Sequence, residues 1–226
     1  MLTDIANSLG ISVADLVTLS AIVLVVITLM ATFALSIRPR KYKRLSSRQY
    51  NAELFKRRME LDELSYPMLN DITIGGTKSG VTRIDHVMRL PTSILLIMSA
   101  PADAVGTPRC NPNMGRWRYL RADHSVGGFL NPVVQLHPLI SAIRSRFPLV
   151  RVRVLCVFPR TVTFDGKSPR NCATPDDLVR QIRDMAAEDG AANPAMDPAW
   201  ESISQALQQS AVEHGGSTRR RRVGPR

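Results

Sequence analysis

The sequence has few of the features that mark several common classes of protein. Its three cysteines, Cys110, Cys156 and Cys172, are unevenly spaced and include no C-x-x-C pair. That pattern argues against both a disulfide framework and a zinc site. It is typical of reduced thiols in a cytoplasmic protein, and we expect Cys156 to be buried in a strand. No internal repeat is found, and nothing in the sequence indicates an organic cofactor.

Basic residues are missing from the start of the chain. The stretch before Arg38 contains the acids Asp4 and Asp15 but no Lys or Arg. A secretory signal begins with basic residues, so this polarity argues against a cleaved signal peptide. Residues 16–37 include no charged residue, Pro or Gly, and a run of about 20 apolar residues is enough to cross a bilayer. We therefore predict a transmembrane helix over residues 16–37, with a buried core helix as the alternative.

A cluster of basic residues follows this run and predicts its orientation: Arg38, Arg40, Lys41, Lys43 and Arg44. Because basic flanks stay in the cytoplasm, residues 1–15 are expected to be extracytoplasmic and everything after the span cytoplasmic. All 30 Lys and Arg lie after the span together with 17 of the 19 acids, which leaves that part with a net charge of +13. An anionic partner is implied: lipid at the membrane surface or nucleic acid.

The rest of the chain predicts one small α/β domain over residues 49–190, after a basic juxtamembrane linker at 38–48. Periodicity and turn residues indicate helices at 49–64, from about 131 to 147 and at 175–188, and strands at 68–74, 81–89, 93–99, 116–122 and 150–158. A C-terminal helix is expected within residues 191–214, at 198–213. Residues 215–226 are Gly-rich and basic and predict a disordered tail.

Several stretches of this domain resemble the nuclease-related domain (NERD), a branch of the PD-(D/E)XK nuclease superfamily. The longest is YPMLNDITIGGTKSGVTRIDHV at residues 66–87. Others are Ala52-Glu53, Trp117, NPVVQ at residues 131–135 and VRVLCVF at residues 152–158. The resemblance covers residues 46–185. It implies a restriction-endonuclease-like mixed sheet flanked by helices.

The resemblance also implies a metal-dependent chemistry. In such nucleases two carboxylates hold Mg²⁺, which generates a metal-bound hydroxide beside the scissile phosphate. A lysine two residues after the second carboxylate orients the water and stabilises the transition state. Asp85 matches the first acid and Glu53 matches the acid of the preceding helix.

The third strand departs from the family pattern. Met98 and Ala100 stand where the family has Glu and Lys. Asp103 or Glu53 is a candidate for a relocated acid. A substitute cation would have to come from another element, and the candidates are Lys78, Arg83 and Arg89. The sequence therefore predicts a catalytically degenerate domain without a bound metal, and Mg²⁺ only in the alternative of an active nuclease.

Other positions matched to the family are candidates for nucleic-acid contacts: Asn131, Gln135, Arg83 and Arg89. Each has a structural alternative as well. Asp85 can pair with Arg83 or His86, His86 is expected to be packed or hydrogen-bonded, Trp117 to lie in the core and Gln135 to be solvated.

Three functions remain open from the sequence. The first is a membrane-tethered, degenerate nuclease-like domain that binds DNA, RNA or another anionic ligand, which predicts a basic groove beside Asp85 and Gln135. The second is a membrane-tethered scaffold for a protein partner, which predicts an old cleft filled by apolar side chains such as Met98. The third is an active nuclease with relocated catalytic residues.

Overall fold

The computed structural model describes residues 13–36, 44–77 and 80–220. It divides into two compact units, one up to residue 41 and one from residue 42. The predicted N-terminus up to residue 12, most of the basic linker, Lys78 and the end of the tail from residue 221 lie outside the described residues.

The first unit contains helix α1, Val13–Ser36, which covers residues 16–36 of the predicted transmembrane helix, while residue 37 lies outside the described residues. Thr28 Oγ1 donates a hydrogen bond to the Leu24 carbonyl oxygen at 2.7 Å, and Thr32 Oγ1 donates to the Thr28 carbonyl oxygen at 3.0 Å. These hydroxyls are therefore satisfied within the helix. The side chains described in α1 are those of Thr18, residues 21–30 and Thr32, and all of them are exposed. Within the described part of the chain, no helix is both long enough and apolar enough to cross a membrane.

The second unit is a mixed α/β domain. Its helices are α2 (Ser47–Asp62), α3 (Pro132–Gln135), α4 (His137–Arg146), α5 (Pro175–Asp189) and α6 (Met196–Arg220). Its strands are β1 (Met68–Thr77), β2 (Gly80–Arg89), β3 (Ser93–Ser99), β4 (Ala104–Arg109), β5 (Arg116–Arg121), β6 (Val126–Leu130), β7 (Arg151–Val157) and β8 (Cys172–Ala173).

Five strands form a mixed sheet in the order β1-β2-β3-β7-β8. The first three are antiparallel neighbours, whereas β7 is parallel to β3 and β8 is parallel to β7. Strand β3 is central and buried on both faces, as its continuous apolar sequence predicts. The predicted mixed α/β sheet is therefore confirmed.

Helices cover both faces of this sheet. On one face, apolar residues of the sheet pack with Leu136, Ile140, Met196 and Ile203 from α4, α6 and the α3–α4 junction. On the other face, the sheet packs with Leu61 of α2 and with Leu178 and Ile182 of α5. This second layer holds α2 against the sheet and positions the candidate site.

A separate antiparallel sheet in the order β4-β5-β6 was not expected. Only β5 had been predicted from the alternation around Trp117. The inner side of this small sheet includes Trp117 and Tyr119, which pack with Phe158 of the segment after β7 in a third apolar cluster. Trp117 is fully buried and its Nε1 donates to the Asn111 carbonyl oxygen at 2.8 Å, so its predicted core position is confirmed.

The predicted helix at 131–147 is in fact two helices that meet at Leu136. Pro138 explains the break, because its ring clashes with the carbonyl four residues earlier and it has no N–H to donate. At the other end of the domain, α6 is described as far as Arg220, beyond the expected end at residue 213.

Candidate functional site

Helix α2 brings three polar side chains to the carboxyl end of β3, in the middle of the mixed sheet. It begins with a capping box, in which the Gln49 N–H donates to Ser46 Oγ at 3.2 Å and the Ser46 N–H donates to Gln49 Oε1 at 2.9 Å. Tyr50, Glu53 and Arg57 then follow at helical spacing and share one face. Of these, Arg57 is buried, with 5% of its surface exposed.

Arg57 is the centre of the candidate site. Its Nη2 donates to Ser99 Oγ at 2.7 Å and lies 3.7 Å from Asp85 Oδ2. Asp85 is on β2 and Ser99 is the last residue of β3, so the arginine joins α2 to two neighbouring strands. Arg57 Nε and Asp85 Oδ2 are buried and have no hydrogen-bond partner among the described atoms. The position beside Asp85 is therefore occupied by a cationic side chain of the chain itself.

Glu53 lies at the rim of this cluster. Its Oε1 accepts a hydrogen bond from the backbone N–H of Arg160 at 3.3 Å. Burial raises the pKa of Glu53 above its ordinary value, although the Arg160 contacts act in the opposite direction. Burial likewise raises the pKa of Tyr50. Both acids of the predicted pair are thus near Arg57, with Asp85 paired directly to it.

The cavity at this site is small. It has a volume of about 10 Å³ and is lined by residues from α2, the end of β3 and the segment after β7, including Tyr50, Glu53, Arg57, Ser99 and Phe158. A volume of this size has room for one water molecule at most. A nucleotide cannot enter it.

Met98 and Ala100, the positions matched to the lost Glu and Lys, both lie in apolar clusters. Met98 is 9% exposed and packs in the cluster on the α4 and α6 face, and Ala100 is 3% exposed in the cluster of the small sheet. Successive strand residues point to opposite faces, so it is the intervening Ser99 that contacts Arg57. The family pattern points to positions 98 and 100 and gives no role to Ser99.

The candidate for a relocated acid, Asp103, is engaged elsewhere. Its Oδ2 accepts from Arg121 Nε at 3.0 Å and its Oδ1 accepts from Tyr119 Oη at 3.1 Å. These contacts attach the start of β4 to β5. Asp103 therefore serves the small sheet and does not contact Asp85 through any hydrogen bond or ion pair of the described residues.

The two polar residues expected to face nucleic acid have structural contacts. Asn131 is fully buried; its Oδ1 caps α3 by accepting from the Val133 N–H at 3.0 Å, and its Nδ2 donates to the carbonyls of Pro112 and Met114. Gln135 Nε2 donates to Thr82 Oγ1 at 3.1 Å. Both side chains therefore connect the α3 segment to neighbouring parts of the fold.

The two predicted arginines of β2 are both in ion pairs. Arg83 pairs with Asp71 of β1, and Arg89 pairs with Asp197 of α6. Asp85 pairs with Arg57 and not with Arg83 or His86, the partners that its structural alternative had named. Because both side chains are already in ion pairs, Arg83 and Arg89 do not form a free basic groove beside Asp85 and Gln135.

His86 is buried and hydrogen-bonded, as expected. Its Nδ1 lies 2.6 Å from Asn70 Oδ1, which is an acceptor, so Nδ1 is the donor in this pair. Burial, with a further contribution from the Arg57 charge, lowers the pKa of His86 from 6.5 to about 4. Cys156 is also buried as predicted, and the three cysteines are free thiols.

A basic surface lies on the outer side of the small sheet. It is not among the surfaces predicted from the sequence. Arg109, Arg116 and Arg118 are exposed, and none forms an ion pair with a residue that the structure describes. Arg118 is the register partner of Arg109 on β4 and of Gly128 on β6. Arg116 donates to the Gly128 carbonyl oxygen at 3.4 Å. We call Arg109, Arg116 and Arg118 the sheet arginines.

A shallow groove of about 410 Å³ runs over this face and is lined by Met114, Arg116, Trp117, Arg118 and residues 126–128. Gly128, the register partner of Arg118, presents no side chain to this face. The sequence signal for this surface was the alternation of Arg116 and Arg118 with buried aromatic residues, but β4 and β6 were needed to complete it.

In the described ranges, no three His, Cys, Asp or Glu side chains are grouped so that they could hold a metal ion. Comparison with known proteins finds no matching family model, no matching curated protein and no matching solved structure.

Proposed function

We propose that this chain is a membrane-anchored, catalytically inactive nuclease-like protein that binds nucleic acid through the sheet arginines. The observation that carries the proposal is the set of three exposed arginines that have no acidic partner among the described residues and lie beside a shallow groove. Surplus Arg on an accessible face is the usual means of neutralising phosphate.

The order of elements supports a restriction-endonuclease-like fold. Helix α2 precedes three antiparallel strands, and a helical segment then leads to a strand parallel to the third. Asp85 on the second strand pairs with Arg57 of α2, and Glu53 lies one turn before Arg57 on the same helix. These are the two acids that the resemblance to the nuclease-related domain implies.

The inactive state is supported by what surrounds Asp85. A guanidinium occupies the position where a nuclease of this kind would hold its cation, and Met98 and Ala100 are core residues. A carboxylate already paired with an internal arginine is a poor ligand for a second cation, because the two positive charges repel.

The groove suits a polyanion in both charge and shape. Arg109 and Arg118 are direct neighbours on adjacent strands, an arrangement in which like charges repel. A bound phosphate relieves that repulsion. Phosphate contacts of this kind carry no sequence information, so the proposed binding is non-specific.

The anchor is the uncharged run at residues 16–37, flanked on its C-terminal side by basic residues. Reporter fusions after Arg44 and at the C-terminus should both report cytoplasm. An extracytoplasmic signal from the C-terminal fusion would contradict the anchor and its orientation.

The binding experiment uses the full-length chain in detergent and measures its affinity for double-stranded and single-stranded DNA and RNA at about 50 and 200 mM salt. Arg109→Glu with Arg118→Glu should weaken binding by about tenfold or more, and should flatten the slope of log K against log salt by about 2. The matched control is Arg144→Glu with Arg170→Glu, which makes the same change in net charge at exposed positions of other elements.

The alternative is a scaffold for a protein partner, which the small size of the cavity beside Arg57 favours, since a nucleotide cannot enter it. The expected filling of the cleft by Met98 is not observed, because Met98 packs on the α4 and α6 face. Absence of nucleic-acid binding at about 50 mM salt, or binding that ignores salt, would support this alternative. Equal loss in both double variants would indicate a diffuse effect of net charge and would contradict the assignment to the sheet arginines.

A further inference from the structure

Helix α2 has an unusual distribution of side chains. Phe55 is 67% exposed and Met59 is 50% exposed, whereas Arg57 on the opposite side of the same helix is 5% exposed. A helix that packs on a core normally buries its apolar residues and exposes its charges. The exposed apolar side of α2 is therefore available to a partner outside the domain.

These two residues belong to one continuous strip. Arg48, Ala52, Phe55 and Met59 recur at spacings of four, three and four residues, which places them in a row along one side of the helix. All four are exposed. Lys56 and Arg58 are exposed and flank the strip, one on each side. We call this strip and its two flanking residues the α2 face.

The charge of the α2 face is predominantly positive. Arg48 and Arg58 are not in an ion pair with any described residue, and Arg44, just before the helix, is in the same state. Lys56 is paired with Glu60 at 3.4 Å, and Asp62 lies at the C-terminal end of the strip. The positive end of the face is thus the end nearest in sequence to the proposed anchor.

We propose that the α2 face lies on the anionic surface of a lipid bilayer. Apolar side chains flanked by basic ones are the composition of helices that lie in the membrane interface. Basic residues near an anionic leaflet are attracted to its surface. A polynucleotide would use the arginines but would leave Phe55 and Met59 in water.

Chain connectivity favours the same partner. Helix α2 begins at Ser47, ten residues after the end of the uncharged run at Ile37. This inference rests on the anchor of the proposed function and is independent of the sheet arginines. Docking of the α2 face would leave the domain with one defined surface toward the lipid.

The test uses the full-length chain with Phe55→Trp, reconstituted in vesicles of phosphatidylcholine alone or of equal parts phosphatidylcholine and phosphatidylglycerol. Brominated acyl chains quench tryptophan that contacts them, and the emission of Trp117 and Trp200 is subtracted with the unmodified chain. We expect blue-shifted, quenched emission from position 55 in the anionic vesicles. Adding Arg48→Glu and Arg58→Glu should reduce the quenching to the level of neutral vesicles.

Two controls accompany the measurement. Leu149→Trp puts tryptophan at another exposed apolar position, since Leu149 is 79% exposed, and should remain unquenched. Arg144→Glu with Arg170→Glu makes the same charge change away from α2 and should leave the quenching at position 55 unchanged.

The outcomes separate the anchor from the docking. If the chain floats with the vesicles but the tryptophan at position 55 is not quenched, the anchor is supported and the docking of the α2 face on lipid is overturned. Equal quenching in neutral and anionic vesicles would overturn the proposal that the α2 face binds anionic lipid. A change in emission on adding DNA, without a change on adding lipid, would also overturn it. A chain that fails to float contradicts the anchor and this inference together.

Discussion

The guanidinium of Arg57, which is buried, and the carboxylate of Asp85, whose side chain is 19% exposed, form an ion pair with Nη2 and Oδ2 separated by 3.7 Å. Arg57 reaches this position from α2 and also donates to Ser99 at the end of β3. The pair joins a helix to the sheet and fills the place where the resemblance to nucleases implies a metal ion. Its consequences for stability and for chemistry can be tested separately.

Removing the arginine should destabilise the domain more than removing its neighbour. Arg57→Met leaves the Asp85 carboxylate buried without a counter-charge, and the expected loss of unfolding free energy is about 3–5 kcal/mol. Arg58→Met, at an exposed position without an ion pair among the described residues, should stay within about 0.5 kcal/mol of the unmodified chain. Chemical denaturation measures both. Arg57→Met with Asp85→Asn should recover part of the loss, and a double variant less stable than Arg57→Met would contradict the pairing.

The register of β3 can be tested by building a metal site. Ser99→Glu with Arg57→Gln puts a second carboxylate beside Asp85 and removes the cation, so Mg²⁺ should raise the melting temperature of this variant. Met98→Glu with Ala100→Lys buries two charges in apolar clusters and should destabilise the domain without any response to Mg²⁺. A Mg²⁺ response in the second variant only would show that positions 98 and 100 reach the site.

The unmodified protein should not cleave DNA in a Mg²⁺-dependent manner. Asp85 is paired with Arg57, and no Lys occupies position 100 to orient an attacking water. Incubation of the purified chain with plasmid DNA, with and without Mg²⁺, is the assay, and Asp85→Ala should not reduce DNA affinity. Cleavage that is abolished by Asp85→Ala would mean that other side chains have taken over the missing roles.

Because of His86, the free energy of unfolding should fall as the pH is lowered from 6.5 to about 4. The folded protein holds the pKa of His86 at about 4 whereas the unfolded chain has 6.5, so the unfolded state binds more protons in that window. At the low end of this pH range, protonation of His86 in the unfolded chain therefore lowers the free energy of unfolding by on the order of 3 kcal/mol. His86→Gln removes this titration, and Gln can still donate to Asn70. Unfolding free energies of both proteins at about pH 7 and about pH 4.5 should differ in their pH dependence; a constant difference at both pH values would argue against His86 as the cause.

Two adjacent glycines of β6 should respond differently to alanine. A Cβ at Gly127 would lie 2.3 Å from Cζ of Tyr119, whose ring is buried and whose hydroxyl donates to Asp103. Because that ring cannot move freely, Gly127→Ala should cost about 1–3 kcal/mol. A Cβ at Gly128 meets its nearest atom, the Trp117 carbonyl oxygen, at 3.5 Å, so Gly128→Ala should be neutral or slightly stabilising. Thermal unfolding compares the two, and equal losses would contradict this account of the small sheet.

Local patterns in the sequence were sufficient for much of the fold. Strands β1, β2, β3, β5 and β7 and helices α1, α2 and α5 follow from apolar periodicity and from turn or capping residues close in sequence. The central, doubly covered position of β3 also followed from its continuous apolar sequence. The mixed pairing of the sheet was implied only by the family resemblance. Strands β4 and β6, AVGTPR and VGGFL, were missed because Gly and Pro weaken the strand signal and β5 supplies the pairing from outside each segment.

The candidate site depended on tertiary contacts to a greater degree. The sequence by itself brought forward Asp85 and Glu53 and the departure at Met98 and Ala100. The pairing of Arg57 with Asp85 and Ser99 came from the packing of α2 on β2 and β3. The contacts of Asn131 and Gln135 came from the position of the α3 segment. The exposed arginines, which have no ion pair among the described residues, were brought together by the pairing of β5 with β4 and β6. The physical reason is that helical and strand periods specify which side a residue faces, whereas the partner it meets there comes from elements tens of residues away in the chain.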